Sequence, residues 1–337
     1  MDGVLNVLKP PGMTSHDVVD VVRRLARLRR VGHTGTLDPG AAGVLVLCLG
    51  RATRLSEFLM DVDKEYRVEL RLGVRTSTGD AYGEVLDPPA PAEPPRPAPP
   101  RGGRRAALEP VLRRFTGEIL QVPPMVSAIH HEGARLYELA RRGEVVDIQP
   151  RPIVVHSIEI VTHDRDWTRL LLHVHCGKGA YIRKLCADIG DALGCGGYAH
   201  FMVRLRAGTF QVEQARTLEE LAGLAAEDAL EGALISMDDA VGHLPAVDLS
   251  DQGVSDVLHG HAVPVWKVGH AVADDVPVRL RSRRGALIAL ARAEAGLLRP
   301  FKVLAGPAGG DGAVPRRPGG PGPDGTGGRR APRVRPR

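Results

Sequence analysis

Residues 32–43 read Gly-His-Thr-Gly-Thr-Leu-Asp-Pro-Gly-Ala-Ala-Gly and form the densest pattern in the chain. Pro39 disfavours a helical backbone at Asp38 and stiffens the loop around this single carboxylate. The flanking glycines would let a bulky ligand come close to the backbone. The Gly-Lys-Ser/Thr ending of a nucleotide-binding P-loop is absent, which argues against that class of site. Two interpretations stay open from these residues alone, a plain turn or a loop that presents Asp38.

The sequence on either side of this stretch is basic. Seven arginines and a single acid, Asp38, lie between Arg23 and Arg54. The chain of 337 residues has a net charge of +5, and residues 306–337 alone carry a net +5. The rest of the chain is therefore close to neutral, so a nucleic-acid surface must come from the placement of charge. The arginine run at 23–30 is more often the solvated side of a helix.

Composition predicts a soluble globular protein in a reducing compartment. Hydrophobic residues make up 43% of the chain and charged residues 25%, which is ordinary for such proteins. No apolar run reaches transmembrane length, and no signal peptide is visible. The four cysteines form no Cys-x-x-Cys pair, so neither a metal site nor a disulfide framework is expected. We therefore expect a cytoplasmic protein with no membrane association.

Apolar periodicity predicts an α+β body. Strands are expected over residues 4–8, 44–49, 66–72, 153–161 and 170–176. Helices are expected over 16–28, capped by Ser15, and over 108–115, 181–193 and 218–234. Because strands and helices do not alternate strictly, we expect a largely antiparallel sheet. Short strand-like runs between residues 262 and 304 predict a small all-β appendage.

Two stretches differ from this pattern in composition. Residues 88–105 are rich in proline and are expected to form a flexible insertion. Residues 305–337 consist mostly of glycine, proline and arginine. Because they have too little apolar surface to bury, we expect them to form a disordered basic tail.

Five motifs lie along the chain, at residues 5–15, 32–43, 73–83, 121–128 and 133–143. The first reads LNVLKPPGMTS and the fourth reads QVPPMVSA. Together they resemble the bacterial tRNA pseudouridine-55 synthases of the TruB type, from residue 3 to about residue 210. Several motifs in the right order are far more specific than any one loop.

The resemblance implies a fold and a domain organisation. Residues 1–235 would form a catalytic domain with the pseudouridine synthase fold, a mixed, largely antiparallel sheet flanked by helices. Residues 246–304 resemble, more weakly, the PUA RNA-binding domain that ends many members. The insertion at 88–105 and the tail at 305–337 would be additions to this plan.

The resemblance also implies roles for individual residues. Asp38 would be the nucleophile, and Arg183 would pair with its carboxylate. Tyr66 and Tyr181 would pack on the target base, and Met202 would line the pocket where leucine is common. The remaining residues with implied roles are His33, which would hold flipped-out nucleotides, and four weaker RNA contacts, Lys9, Lys64, Lys178 and Arg204. Three further positions depart from the family pattern, Ala42 and Ala180 where a hydroxyl residue is usual and His130 where lysine is frequent.

The implied reaction explains why these residue types are needed. Pseudouridine forms when the C1′–N1 bond of uridine breaks and C5 of the turned base bonds to C1′. No redox step occurs, so we expect neither a cofactor nor a metal. Asp38 would add to the sugar or remove a ribose proton, and the sequence leaves both routes open. Flipping the base out costs a few kcal/mol, and stacking on Tyr66 returns about 1–3 kcal/mol.

The expected partner is the T-arm of tRNA. We expect a monomer that needs no protein partner and does not bind a membrane. Two alternatives stay open: an RNA-binding protein that acts as a tRNA-folding chaperone, and a synthase that acts on another RNA.

Overall fold

The computed structural model describes residues 1–86, 104–125, 146–265 and 275–305, together with residues 130, 131, 134, 135, 139, 142 and 144. Most of the proline-rich stretch at 88–105, nearly all of the tail at 305–337 and parts of the motifs at 121–128 and 133–143 lie outside these residues. No helix in the described ranges has the length and apolar character to span a membrane.

The described residues form eighteen strands. The first seven are β1 Gly3–Lys9, β2 Val31–His33, β3 Ala42–Leu49, β4 Lys64–Leu72, β5 Arg75–Thr76, β6 Val85–Leu86 and β7 Gly117–Gln121. The next six are β8 His130–His131, β9 Ala134–Arg135, β10 Arg151–His163, β11 Arg169–Cys176, β12 Gly197–Ala207 and β13 Phe210–Gln211. The last five are β14 Ala246–Leu249, β15 Val263–Pro264, β16 Val278–Ser282, β17 Leu287–Glu294 and β18 Leu297–Val303.

Helices are fewer in the same ranges. The α-helices are α1 Ser15–Ala26, α2 Ser56–Met60, α3 Arg104–Arg114, α4 Ile182–Ala192, α5 Leu218–Ala226, α6 Met237–Ala240 and α7 Asp251–Leu258. Short 3-10 turns occur at Gly50–Leu55, Val212–Gln214 and Leu230–Ala233. The predicted helix over 218–234 is therefore too long, because the α-helix ends at Ala226 and Asp228 adopts a positive φ of 54°.

The main sheet of the described chain has nine strands in the order β1-β3-β12-β4-β11-β10-β7, with β2 beside β3 and β13 beside β12. All neighbours are antiparallel except β3 and β12, which pair in parallel through Ala42 and Gly43. The predicted mixed, largely antiparallel sheet is confirmed. Strand β12 lies at the centre of this sheet, although the apolar pattern of the sequence did not predict it.

Helix α1 covers one face of the sheet with its apolar stripe. Its buried residues include Val18, Val19 and Val22, which pack in the same core as Leu5 and Val7 of β1. The predicted cap was wrong by one residue. Thr14 caps the helix, because its hydroxyl accepts a hydrogen bond from the Asp17 N–H and the Asp17 carboxylate accepts one from the Thr14 N–H.

Ser15 is buried instead and connects helix α1 to the loop that carries Asp38. Its hydroxyl oxygen accepts a hydrogen bond from the Leu37 N–H at 2.8 Å, and the hydroxyl donates to the Leu37 carbonyl at 2.9 Å. Sequence rules rank serine and threonine similarly as caps, so local pattern did not separate Thr14 from Ser15.

The carboxyl-terminal part of the described chain has its own five-stranded sheet, in the order β14-β16-β17-β18-β15. Helix α7 packs on this sheet through Val257. The predicted β-rich appendage is therefore present, but it is not all-β. Leu287, Leu290 and Leu304 pack in one core with residues of β1 and β3. The exact domain boundaries stay a prediction.

Candidate active site

Asp38 lies in the loop between β2 and β3, and two buried cations hold this loop. The ammonium group of Lys9 donates to the carbonyls of Pro10, Pro39 and Ala41 at 2.8, 3.2 and 2.6 Å. Lys9 is fully buried, at 0% exposure. Two of these bonds connect the end of β1 to the residues that follow Asp38, so they hold the backbone on that side of the carboxylate.

Arg204 of β12 holds the other part of the loop. Its guanidinium donates to the carbonyls of Val44, Gly35 and Thr36 at 2.7, 3.0 and 3.4 Å. The parallel pairing of β12 with the start of β3 brings Arg204 to this position. Gly43 is needed at the same crossing, because its φ is +110° and an added Cβ would lie 2.2 Å from the Arg204 carbonyl oxygen.

Arg183 of α4 forms a two-point ion pair with Asp38. Its Nε donates to Oδ2 at 2.7 Å, and its Nη2 donates to Oδ1 at 3.0 Å. The guanidinium also donates to the Thr78 carbonyl at 2.9 Å and lies 3.6 Å from an Asp80 oxygen. The Arg183 side chain is 4% exposed and that of Asp38 is 34% exposed. A planar guanidinium can hold a carboxylate in one orientation in this way.

Asp38 and Arg183 line a cleft of about 700 Å³. Tyr66, Tyr181 and Met202 line the same cleft, together with Lys64, Lys178 and Arg204. Strands β4 and β12 are paired, with Met202 opposite Val68 and Arg204 opposite Tyr66. The cleft therefore combines the Asp38 carboxylate, two aromatic rings and apolar surface, which is what a single flipped nucleotide base requires.

Burial reinforces the neutral state of the Tyr66 phenol. The pKa of Tyr66 is raised, chiefly because burial disfavours the phenolate. The neighbouring guanidinium of Arg204 acts in the opposite direction and is the smaller influence. Tyr66 is therefore a neutral phenol at pH 7.

A buried glutamine fixes the backbone at Tyr181, where α4 begins. The Gln121 amide oxygen accepts a hydrogen bond from the Tyr181 N–H at 2.8 Å, and the amide nitrogen donates to the Tyr181 carbonyl at 3.2 Å. Gln121 ends β7 and is 2% exposed. It therefore positions both the aromatic ring and the helix that carries Arg183.

Two family models match most of the chain in sequence. The model described as the TruB family pseudouridylate synthase N-terminal domain matches residues 23–182. The model of the tRNA pseudouridylate synthase B C-terminal domain matches residues 183–242. The chain belongs to the TruB family. The predicted family is thereby confirmed, and with it the predicted enzyme class and its reaction, the isomerisation of uridine to pseudouridine in tRNA.

Curated TruB relatives agree with this assignment. The chain is 49% identical over 269 residues to the tRNA pseudouridine synthase B of Pelotomaculum thermopropionicum, across 77% of this chain and 80% of that protein. It is 43% identical over 311 residues to the protein of the same name from Moorella thermoacetica, across 90% and 99%.

Solved structures show the same fold. The chain is similar, with a TM-score of 0.69 and 28% identity, to a chain in the crystal structure of a Cbf5-Nop10-Gar1 complex, over 90% of this chain and 85% of that one. A second neighbour is an H/ACA RNP bound to a substrate RNA containing 2′-deoxyuridine, with a TM-score of 0.68 and 27% identity over the same shares. The predicted pseudouridine synthase fold is confirmed.

His33, which was predicted to hold flipped-out nucleotides, lies beside the cleft of this TruB-family chain. His33 ends β2, one residue before the cleft lining begins at Thr34. Its Nδ1 accepts a hydrogen bond from the Gly35 N–H at 3.4 Å. Burial lowers the pKa of His33, and the positive charge of Arg204 acts in the same direction. The ring is therefore neutral at pH 7.

The four cations predicted to contact RNA differ in their exposure. Lys9 and Arg204 are buried and donate to carbonyls of the Asp38 loop. Lys64 is also buried, and it donates to the carbonyls of Met60 and Val62 at 2.6 and 2.5 Å. Lys178 is 70% exposed and pairs with Asp61 at 2.6 Å. Lys178 is the most exposed of the four, and all four RNA contacts stay predictions.

Three residues that position Arg183 or Tyr181 were missed by sequence reasoning as site residues. They are Thr78, Asp80 and Gln121. The Thr78 hydroxyl donates to the Asp80 carboxylate at 2.6 Å, which fixes that carboxylate beside Arg183. All three lie in motifs that the sequence already indicated, at 73–83 and 121–128. Their position within these motifs was the one sign in the sequence that they belong to the site. It did not indicate which groups their side chains contact.

Proposed function

We propose that this TruB-family chain converts one uridine of the tRNA T-loop, at position 55, into pseudouridine, with Asp38 as the nucleophile. The observation that carries this proposal is the pair formed by Asp38 and Arg183 in the cleft. Arg183 is held by Thr78 as well as by Asp38, so the carboxylate is oriented before any substrate enters. Such preorganised electrostatics lower a barrier because little rearrangement is left for the reaction itself.

Asp38 retains the capacity to react although both of its oxygens are hydrogen-bonded. Each carboxylate oxygen has two lone-pair sites, and Arg183 occupies one on each oxygen. The remaining sites are accessible, since the side chain is 34% exposed in the cleft. Addition to C1′ and removal of a ribose proton both begin from a carboxylate oxygen with an accessible lone pair.

The two tyrosines and Met202 would hold the flipped base. Stacking on an aromatic ring contributes about 1–3 kcal/mol per base, which is comparable to the few kcal/mol that flipping costs. Because Tyr66 is neutral, it cannot act as a phenolate base toward the C5 proton. We propose that its hydroxyl relays that proton, accepting it while giving up its own to water.

We also propose that the chain acts alone, as a monomer in the cytoplasm, on the T-arm of tRNA. The relatives with 49% and 43% identity are named as tRNA pseudouridine synthases. The solved neighbours with 28% and 27% identity come from complexes with further proteins or RNA. Higher identity to the first group supports direct recognition of tRNA without added proteins.

Tritium release tests both the reaction and the nucleophile. Purified chain is incubated with a T-arm hairpin whose uridines carry tritium at C5, with no other protein present. We expect release of about one tritium per hairpin by the wild type and none by Asp38→Asn. Asp20→Asn is the matched control, because Asp20 lies exposed on α1 in a surface pair with Arg23. It should release tritium at the wild-type rate.

Three results would count against the proposal. Normal release by Asp38→Asn would remove Asp38 as the nucleophile. Release from full-length tRNA but not from the hairpin would show that the T-arm is not sufficient. Release that requires added proteins or a guide RNA would show that the chain does not act alone.

A further inference from the structure

A second cluster of ligating side chains lies on the face of the main sheet opposite to the cleft. Side chains alternate between the two faces along a strand. Lys64 and Tyr66 of β4 line the cleft, so Glu65 points to the other face. Asp63, directly before β4, contacts His156 and His175. His175 of β11 is paired with Glu65 and shares that face. Asp63, His156 and His175 come together there and take no part in the proposed reaction.

A β-bulge brings His156 into this cluster. Val155 of β10 is paired with Cys176, but Ser157 is paired with His175, so the register shifts by one residue between them. His156 is the extra residue, and His156 and Ser157 together oppose His175. A bulge of this kind re-aims a side chain. The rings of His156 and His175 consequently lie with their centroids 4.4 Å apart.

The distances between ligand atoms fit a tetrahedral metal ion. His156 Nε2 lies 3.3 Å from Asp63 Oδ2, and His175 Nε2 lies 3.5 Å from the same oxygen. All three ligand atoms lie within 4.8 Å of one another. Ligands bound tetrahedrally to Zn²⁺ at about 2.0–2.2 Å are separated from each other by about 3.3–3.6 Å. The distances from Asp63 Oδ2 to His156 Nε2 and to His175 Nε2 already have this length.

The backbone of the cluster is held independently of any ion. Asp63 precedes β4, and its carbonyl accepts a hydrogen bond from the Gly208 N–H at 2.9 Å. His156 and His175 lie within the paired strands β10 and β11. The three side chains are between 30% and 46% exposed, so an ion can reach them from solvent.

One cation lies close to the cluster and must be accounted for. Arg206 Nη2 is 3.4 Å from His175 Nε2. The same guanidinium donates to a Glu65 oxygen at 2.9 and 2.5 Å and to the Gly208 carbonyl at 2.9 Å. Arg206 would therefore keep its hydrogen bonds to Glu65 and Gly208 if His175 Nε2 bound a metal ion instead. Glu65 also offsets its positive charge.

We propose that Asp63, His156 and His175 form a binding site for a divalent first-row transition-metal ion, with water completing the coordination. Two imidazoles and one carboxylate are a ligand set that such ions favour over Mg²⁺ or Ca²⁺. The ion would connect the start of β4 to β10 and β11 on the side of the sheet away from Asp38.

Calorimetric titration with Zn²⁺ tests the site. The full chain, freed of any affinity tag and treated with chelator, is titrated with zinc sulfate. We expect one Zn²⁺ per chain for the wild type, and at least tenfold weaker binding for His156→Gln and for His175→Gln. The matched control is the double variant His259→Gln, His261→Gln, whose stacked rings lie 6.3 Å apart near the end of α7. It should bind Zn²⁺ like the wild type.

Thermal unfolding gives a second measurement that does not depend on activity. Zn²⁺ should raise the unfolding temperature of the wild type and the control but not that of the His156 and His175 variants, because an ion that binds only the folded state stabilises it. Absence of stoichiometric binding by the wild type would overturn the proposal. So would undiminished binding by folded His156→Gln and His175→Gln, or loss of binding in the control.

Discussion

Arg183 is a nearly buried guanidinium whose main partner is the carboxylate that we propose as the nucleophile. Its effect on the orientation of Asp38 depends on geometry as well as charge. Two of its nitrogens contact the two oxygens of Asp38, and a third contacts the Thr78 carbonyl. Lysine has the same charge but offers a single ammonium point instead of a planar fork. At the scale of single residues, this distinction leads to a test.

Arg183→Lys should lower kcat by about 10²-fold or more, the usual cost of losing one preorganised electrostatic contact. RNA affinity should change less than threefold, because Arg183 is buried beneath Asp38. Single-turnover rates and filter binding on T-arm RNA would measure both. Arg71→Lys is the control, since Arg71 forms a partly exposed pair with Glu69 on β4. A loss of affinity larger than the loss of rate would remove Arg183 from the catalytic centre.

Lys9 gives a residue-level prediction about pH. Burial lowers the pKa of Lys9 from 10.5 to about 8 in the folded chain, and the negative charge of Asp38 opposes this only partly. Between pH 8 and 10.5 the unfolded chain therefore binds a proton at Lys9 that the folded chain has lost. Stability rises with pH wherever the unfolded state binds more protons. The Lys9 contribution should thus increase across this window and stay constant below it.

The Lys9→Met variant isolates this contribution. The other titrating groups are present in both proteins, so their effects cancel in the difference between the two free energies of unfolding. The free energy of unfolding of the wild type, relative to Lys9→Met, should rise between pH 7.5 and pH 10, by up to about 3 kcal/mol. Urea unfolding at the two pH values measures it. A difference that stays constant or falls over this range would show that the Lys9 pKa is not lowered in the folded chain.

At the scale of elements, the parallel contact between β3 and β12 places the catalytic loop. Gly43 lies at this contact with a φ of +110°, and a Cβ there would lie 2.2 Å from the Arg204 carbonyl oxygen. Gly12 also has a positive φ, +89°, but nothing lies within 4 Å of an added Cβ. Alanine substitution at Gly12 would cost stability through backbone strain alone, whereas at Gly43 a steric clash adds to that strain. Comparing the two variants therefore separates the two contributions.

Gly43→Ala should be destabilised by about 4 kcal/mol or more, a size that marks a severe local conflict. Gly12→Ala should lose only about 1–2 kcal/mol, from backbone strain alone. Urea unfolding monitored by circular dichroism would compare them. Equal losses would mean that the two strands separate easily at Gly43, and that their contact does not hold the loop.

At the scale of the whole molecule, Ala305 is the last residue that the structure describes, and it is hydrogen-bonded to the carboxyl-terminal sheet. The N–H groups of Leu304 and Ala305 both donate to the Ile288 carbonyl, and Leu304 is buried in the core shared with β1 and β3. Residues 306–337 add a net charge of +5. Positive charge binds RNA phosphates in a salt-dependent way that carries no sequence information.

A chain that ends at Ala305 should therefore keep the wild-type kcat at saturating RNA and the wild-type unfolding midpoint. Its affinity for T-arm RNA should fall most at low salt, and the slope of log affinity against log salt should become shallower. Titrations at 50 and 200 mM salt would measure this. A lower kcat at saturating RNA would mean that residues 306–337 contribute to the reaction.

The sequence by itself determined the family, the α+β class, the positions of half of the described strands and most of the described helices, and the carboxylate on which the proposed reaction depends. These follow from local information, since apolar periodicity repeats every two or 3.6 residues and the motifs are contiguous. Strand β12 was missed although Ala199, Phe201 and Val203 alternate with other residues. Register shifts in its pairing with β4 leave Phe201 exposed and bury Met202 and Arg204, which local sequence does not reveal. Thr14 and Ser15 were confused because both fit a helix cap.

Only the tertiary structure decided what the buried cations Lys9 and Arg204 do, whereas the family resemblance had already paired Arg183 with Asp38. Lys9 contacts Ala41 across 32 residues, Arg183 contacts Asp38 across 145, and Arg204 contacts Gly35 across 169. Basic residues read from sequence are expected at a surface, since burying a charge without partners is costly. The carbonyls and the carboxylate that offset this cost for Lys9, Arg183 and Arg204 come from distant segments. They become neighbours only when the sheet has formed.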